Sequence, residues 1–144
     1  VPPGRLELEL TENAVVNDIE HARGLIERLK SQGISIALDD FGTGYSSLRH
    51  LSELRFDKLK IDKSFIGDLD FNEASQTIVK TVTALAHNLG LTVCVEGIET
   101  ETSAENVANY GCNFAQGYLF GRPAAKAFIA QPETHEPVVV IRAA

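Results

Sequence analysis

The chain contains no methionine, only two cysteines, no basic run, and no long hydrophobic stretch. Each shortage removes a class of protein. No apolar segment approaches the ~20 residues that a membrane-spanning helix needs. The net charge of -7, with no clustered Lys or Arg, gives no electrostatic footprint for a nucleic-acid polymer. Cys94 lies inside the apolar run Thr92-Val93-Cys94-Val95, far in sequence from Cys112. Both are expected to be free thiols rather than a disulfide. The four histidines, His21, His50, His87 and His135, are scattered and form no zinc-type spacing with the cysteines. No G-x-x-x-x-G-K-[ST] loop is present, so nucleoside triphosphate chemistry has no support. The start Val1-Pro2-Pro3-Gly4, without methionine, implies that the true N-terminus lies upstream.

At 144 residues the chain is long enough for one domain with a real core. Leu6, Leu8 and Leu10 alternate with Glu7, Glu9 and Thr11, which is strand periodicity. A helix is predicted over 18–32, with Gly33 as its stop, then a strand over 34–39 and a short helix over 46–54. A third strand follows over 56–61. The helix over 74–89 carries Ile78, Val79, Val82, Leu85, Ala86 and Leu89 on its inward face and ends at Gly90. A near-continuously apolar strand runs over 91–96, as in a parallel strand covered on both faces. Thr102-x-x-Glu105 reads as a capping box for a helix ending at Gly111, and 114–119 as a fifth strand. The domain is placed at 1–130, and the tail 131–144 is left unassigned. Strands alternating with helices make the class α/β with a parallel sheet.

Glu9, Asp39, Lys60, Glu96 and Gln116 each fall at or near the carboxyl end of a different strand. That edge is where (β/α) barrels assemble their active sites. The Asp39-Asp40 pair stands where an apolar strand meets the glycine-rich loop Phe41-Gly42-Thr43-Gly44. Neighbouring side chains on a strand point to opposite faces. The pair shares a centre only if the chain turns there, a turn assigned to Gly42 and Gly44. A full barrel takes ~250 residues and eight strands. The five strands expected here are therefore the C-terminal portion of a TIM-type barrel. Its open edges and an apolar inner face are left for upstream strands to cover.

With these residues laid out, the chain resembles the EAL-domain family of cyclic di-GMP phosphodiesterases. The resemblance runs from about Leu6 to Pro123. It rests on Glu9-Leu10-Thr11-Glu12, the run from Asp39 to Leu48, Leu59-Lys60-Ile61-Asp62, Val95-Glu96-Gly97-Ile98-Glu99 and Gln116-Gly117-Tyr118-Leu119-Phe120. The resemblance implies a two-metal hydrolase, with Mg²⁺ or Mn²⁺, that opens cyclic di-GMP to linear pGpG. Glu9, Asp39, Asp40 and Glu96 would be metal ligands, with Asp39 bridging. Lys60 would contact the attacking water, Glu96 would double as a base, and Gln116 would sit near the reacting phosphate. Glu12 would anchor the loop after Asp40. Oxygen donors select such hard cations, and two ions ~4 Å apart activate water and neutralise phosphoryl charge.

The family's Glu-Ala-Leu strand and a later asparagine supply further ligands upstream of this chain, and Asn13 and Asn17 do not match that asparagine. Catalysis is thus expected of the complete domain and is left open for these residues alone. The alternative is a degenerate module that binds cyclic di-GMP or a protein partner without turnover. A barrel enzyme using Mg²⁺ for enolate chemistry would also carry acids at strand ends, but leaves the Asp39–Leu48 run unexplained. The resemblance further implies a homodimer of the complete domain, an upstream sensor or cyclase domain, and a cytoplasmic site of action for a protein that can be anchored at the inner membrane.

Overall fold

The computed structural model describes residues 1–42, 48–123 and 139–142. Its strands are β1 (Leu6–Thr11), β2 (Ser35–Phe41), β3 (Lys58–Ile61), β4 (Thr92–Glu96), β5 (Phe114–Gln116) and β6 (Val139–Arg142). The helices are α1 (Glu12–Asn17), α2 (Ile19–Ser31), α3 (Leu48–Glu53), α4 (Glu73–Asn88) and α5 (Glu101–Asn109). All pairings are parallel, in the order β5-β4-β3-β2-β1-β6. Five of the strands lie where the sequence puts them. The sixth lies in the unassigned tail, in register with β1 (Leu6 opposite Val139, Glu9 opposite Arg142). It covers the edge of β1 that the sequence leaves open.

One face of the sheet carries the core. Ile36, Leu38, Leu59, Ile61, Val93 and Val95 are all buried there and pack with Ile26 of α2, Val79 and Ala86 of α4 and Val107 of α5. The pleat sends the alternate residues to the other face. This inner face is polar, not apolar as expected. It carries Glu7, Glu9, Asp39, Lys58, Lys60, Cys94 and Glu96, and ion pairs rather than hydrophobic contacts cross it.

Local chemistry sets the helix ends. Asp18 caps α2 by accepting from the His21 N–H at 3.0 Å, and Gly33 leaves it at φ 85. Asn72 caps α4 by accepting from Ala74 and Ser75. The inward face of α4 is Ser75, Val79, Thr83 and Ala86, while Ile78 is 40% exposed. The face is rotated from the apolar reading because two hydroxyls on it have partners off the helix: Ser75 donates to Asp68 (2.7 Å) and Thr83 meets the Cys112 thiol (3.3 Å). The cap of α5 is Thr100, not Thr102. Its hydroxyl oxygen accepts from the Ser103 N–H at 3.0 Å. Asp70 fixes that choice by accepting from Thr100, Ser103 and Asn106 together.

The fifth strand is shorter than expected and stops at Gln116. The backbone of Ile98 crosses Gly117 so closely that a β-carbon there would lie 2.0 Å from the Ile98 carbonyl oxygen. Ile98 N–H donates to the Gln116 carbonyl and Leu119 N–H to the Ile98 carbonyl. Both cysteines are free, as expected. Among the described residues no helix is long and apolar enough to cross a membrane.

Candidate metal centre at the carboxyl edge of the sheet

β1 to β5 bring their polar residues to one edge. Glu9 is near the end of β1, Asp39 and Asp40 near the end of β2, Lys60 near the end of β3, and Glu96 and Gln116 end β4 and β5. The two aspartates share a centre because of a break inside β2. Its pairing with β3 shifts register between Leu38 and Phe41, and Asp40 adopts φ 56. A left-handed residue at an irregularity in the ladder re-aims its side chain. The turn thus starts at Asp40 itself, within the strand, ahead of Gly42, the first of the glycines that the sequence suggested. Gly42 (φ 96) follows, and Gly44 lies outside the described residues. Carboxylate oxygens of Asp39, Asp40 and Glu96 lie within 4.8 Å of one another.

The Lys60 ammonium sits among the acids, 2.6 Å from Glu9, 3.1 Å from Asp39 and 2.5 Å from Glu96. Lys60 is 2% exposed. Burial alone would lower its pKa. Close pairing with Glu9 and Glu96 and the charges of Glu96 and Asp39 outweigh that, and the net shift is upward. Lys60 therefore stays a cation across the neutral range. Glu9 joins the centre through this ammonium rather than by lying within the Asp39–Asp40–Glu96 group.

Glu12 opens α1, directly after β1, and is buried. Its carboxylate accepts from the Gly42 N–H at 3.2 Å, as expected of a loop anchor. The rest of that loop, 43–47, lies outside the described residues. Gln116 pairs in register with Glu96. Both line a cavity of about 300 Å³ with Lys63, Glu99 and Tyr118, and Gln116 is exposed there. Sequence reading missed one pair of charged residues. Glu7 and Lys58 lie two positions before Glu9 and Lys60, and that spacing alone marks them as facing the same side.

The donor set fits a hard divalent ion. Carboxylate oxygens converge, one of them on a backbone bent to present it, and no sulfur or imidazole is among them. Glu9, Asp39 and Glu96 meet the Lys60 ammonium, and Asp40 lies beside Asp39 and Glu96.

A parallel α/β sheet with acids and a buried lysine at its carboxyl edge defines part of a (β/α)-barrel protein. The chain belongs to the EAL domain family, whose model matches residues 1–123. It is 42% identical over 121 residues to the bifunctional diguanylate cyclase/cyclic di-GMP phosphodiesterase MucR of Pseudomonas aeruginosa, covering 84% of this chain and 18% of MucR. The solved MucR phosphodiesterase in complex with c-di-GMP superposes with TM-score 0.81 at 41% identity, over 85% of this chain and 50% of that one. The EAL domain of Mycobacterium smegmatis DcpA gives 0.80 at 46% identity, over 85% and 55%. Klebsiella pneumoniae BlrP1 in its manganese/cyclic di-GMP complex gives 0.80 at 34%, over 85% and 31%. The chain thus spans about half of two solved EAL chains and under a fifth of the curated relatives' length.

Proposed function

We propose that these residues are the C-terminal part of a phosphodiesterase domain that hydrolyses cyclic di-GMP to linear pGpG with two Mg²⁺ or Mn²⁺ ions. The observation that carries this reading is the convergence of Asp39, Asp40 and Glu96 around the Lys60 ammonium. Asp39, Asp40 and Glu96 would hold one ion, and Glu9 with Asp39 would begin the site of the other. Such ions supply an activated water and charge neutralisation at the phosphoryl group. Lys60, held cationic, donates toward the attacking water or a phosphoryl oxygen. Gln116, exposed beside Glu96, offers an amide donor and acceptor to the phosphate in the shared cavity. Glu12 keeps the loop after Asp40 in place through the Gly42 N–H. The c-di-GMP-bound MucR and BlrP1 relatives support the choice of substrate.

The test is chromatography of cyclic di-GMP incubated with Mn²⁺ and the full-length protein that carries these residues. The expected result is pGpG from the wild type and none from Asp39→Ala. Cyclic di-GMP bound by the wild type but left intact would make this a binding module. Neither binding nor turnover would overturn the reading.

A further inference from the structure

The carboxylates that would hold the ion come from two strands that are not neighbours. Asp39 and Asp40 lie on β2 and Glu96 ends β4, with β3 between them. Ladder pairing fixes their spacing only as far as the strands run. The β2–β3 ladder, moreover, shifts register between Leu38 and Phe41, across both aspartates. Just beyond β3 the chain makes a single 3-10 turn, Lys63–Phe65, capped by Asp62, which accepts from the Ser64 N–H at 2.9 Å. Buried Ile66 and Leu69 root the turn in the core. This turn packs against both backbones that follow the carboxylates. Gly42 stands two residues after Asp40, and a β-carbon on it would lie 2.7 Å from Phe65 Cε2 and 2.8 Å from Cζ. Gly97 directly follows Glu96, and a β-carbon on it would lie 2.5 Å from Lys63 Cβ. Glu12 also accepts from the Gly42 N–H at 3.2 Å, so its carboxylate and the Phe65 ring edge hold the same residue.

We propose that Phe65 is a positioning residue for the metal centre: its ring edge, seated where residue 42 has no side chain, sets the span between the Asp39–Asp40 pair and Glu96. The inference rests on the metal reading above and adds to it what keeps the ligands at that span. Oxygens of the three carboxylates lie within 4.8 Å of one another. One ion bridges such a gap only if it stays near twice the metal–oxygen distance of ~2.0–2.6 Å. Without the ring edge, Gly42 has room to move toward the Lys63–Phe65 turn and to carry Asp40 with it. Groups behind the ligands of a metal site are worth about 10–100-fold in affinity. A packing contact two residues from a ligand belongs at the low end, about tenfold.

The experiment is Mn²⁺ binding to the full 144-residue chain, read from the free-ion electron paramagnetic resonance signal, with melting temperature recorded in parallel. Phe65→Leu keeps an apolar side chain but stops at Cδ, short of the ring atoms that meet residue 42. It is expected to weaken Mn²⁺ binding about tenfold. Phe65→Met reaches as far as Cε and should stay close to wild type. Val107→Ala, a core truncation in α5, should lower the melting temperature and leave Mn²⁺ affinity unchanged. The inference is overturned if Phe65→Leu binds Mn²⁺ like wild type while only its melting temperature falls. It is also overturned if Phe65→Met is as weak as Phe65→Leu, since reach to Gly42 is then not the cause. Equal losses of affinity in Val107→Ala and Phe65→Leu would overturn it too, because general loosening would then explain both. Wild type and Asp39→Ala binding Mn²⁺ equally poorly would remove the metal reading itself, and this inference with it.

Discussion

Replacing Lys60 by Met isolates what the buried ammonium does. The methionine keeps most of the aliphatic stem, so little packing is lost. What disappears is the cation between Glu9, Asp39 and Glu96, at 2.5 to 3.1 Å. Removing one partner of a buried pair costs ~3–5 kcal/mol, because the remaining charges stay desolvated. At ~2–4 °C per kcal/mol for a chain near this size, the melting temperature in EDTA should fall by roughly 10 °C. A divalent ion would replace the missing charge. Saturating Mn²⁺ should therefore raise the melting temperature of Lys60→Met by more than that of wild type, since in wild type the ion shares its carboxylates with the ammonium.

The pH dependence follows from the upward shift of Lys60. A raised pKa gives a contribution fully present below the ordinary value of 10.5 and lost progressively as pH climbs from there through the folded-state value. The deficit of Lys60→Met against wild type should be flat from pH 6 to 9. Differential scanning fluorimetry with EDTA and with Mn²⁺ measures all of this. An unchanged melting temperature in EDTA, or a smaller Mn²⁺ response in the variant, would refute the reasoning.

Three further outcomes are expected. Gly117→Ala places a β-carbon 2.0 Å from the Ile98 carbonyl oxygen and 2.3 Å from its nitrogen; because backbone cannot yield cheaply, it should cost at least ~1–3 kcal/mol, seen as a lower urea midpoint. Burial pushes the Cys94 thiol up to about 11, from 9.0. The unfolded chain then loses this proton first, so stability should fall by roughly 2–3 kcal/mol between pH 9 and 11, and Cys94→Ala should remove that slope. Glu12→Ala removes the acceptor of the Gly42 N–H; a hydrogen bond to a charged group is worth ~1.5–3 kcal/mol, so hydrogen exchange at Gly42 should accelerate while that at the Ile98 amide does not.

Most of this fold is legible because the parallel strands are short segments rich in apolar residues that carry a polar residue at or near the carboxyl end. Leu59-Lys60-Ile61 and Val93-Cys94-Val95-Glu96 show it directly. The same pattern located Glu9, Asp39, Lys60, Glu96 and Gln116 at one edge. What escaped was fixed by partners distant in sequence. Asp70 selects Thr100 over Thr102 as the α5 cap, and Ser75 and Thr83 turn α4 away from its apolar stripe. Nothing local announces that Asp40, as well as Gly42, takes a positive φ; it does so where the pairing of β2 with β3 shifts register. The strand in the tail has an apolar run to signal it, but its pairing with β1 is a contact over more than 130 residues of sequence.

The polar inner face follows from the same strand periodicity, carried one step further. Residues two apart on a strand share a face, so Glu7 must accompany Glu9, and Lys58 must accompany Lys60. Once the upper pair is assigned to a site, the lower pair is committed to the interior as well, where a lone charge is costly. The two layers settle this by pairing separately: Glu7 with Lys58, and Glu9 with Lys60 among the remaining acids. The lower layer is charge-balanced and closed. The upper layer instead gathers Asp39, Asp40 and Glu96 close together beside its lysine, which is why the proposed ion falls at the carboxyl edge and not at the closed pair beneath it.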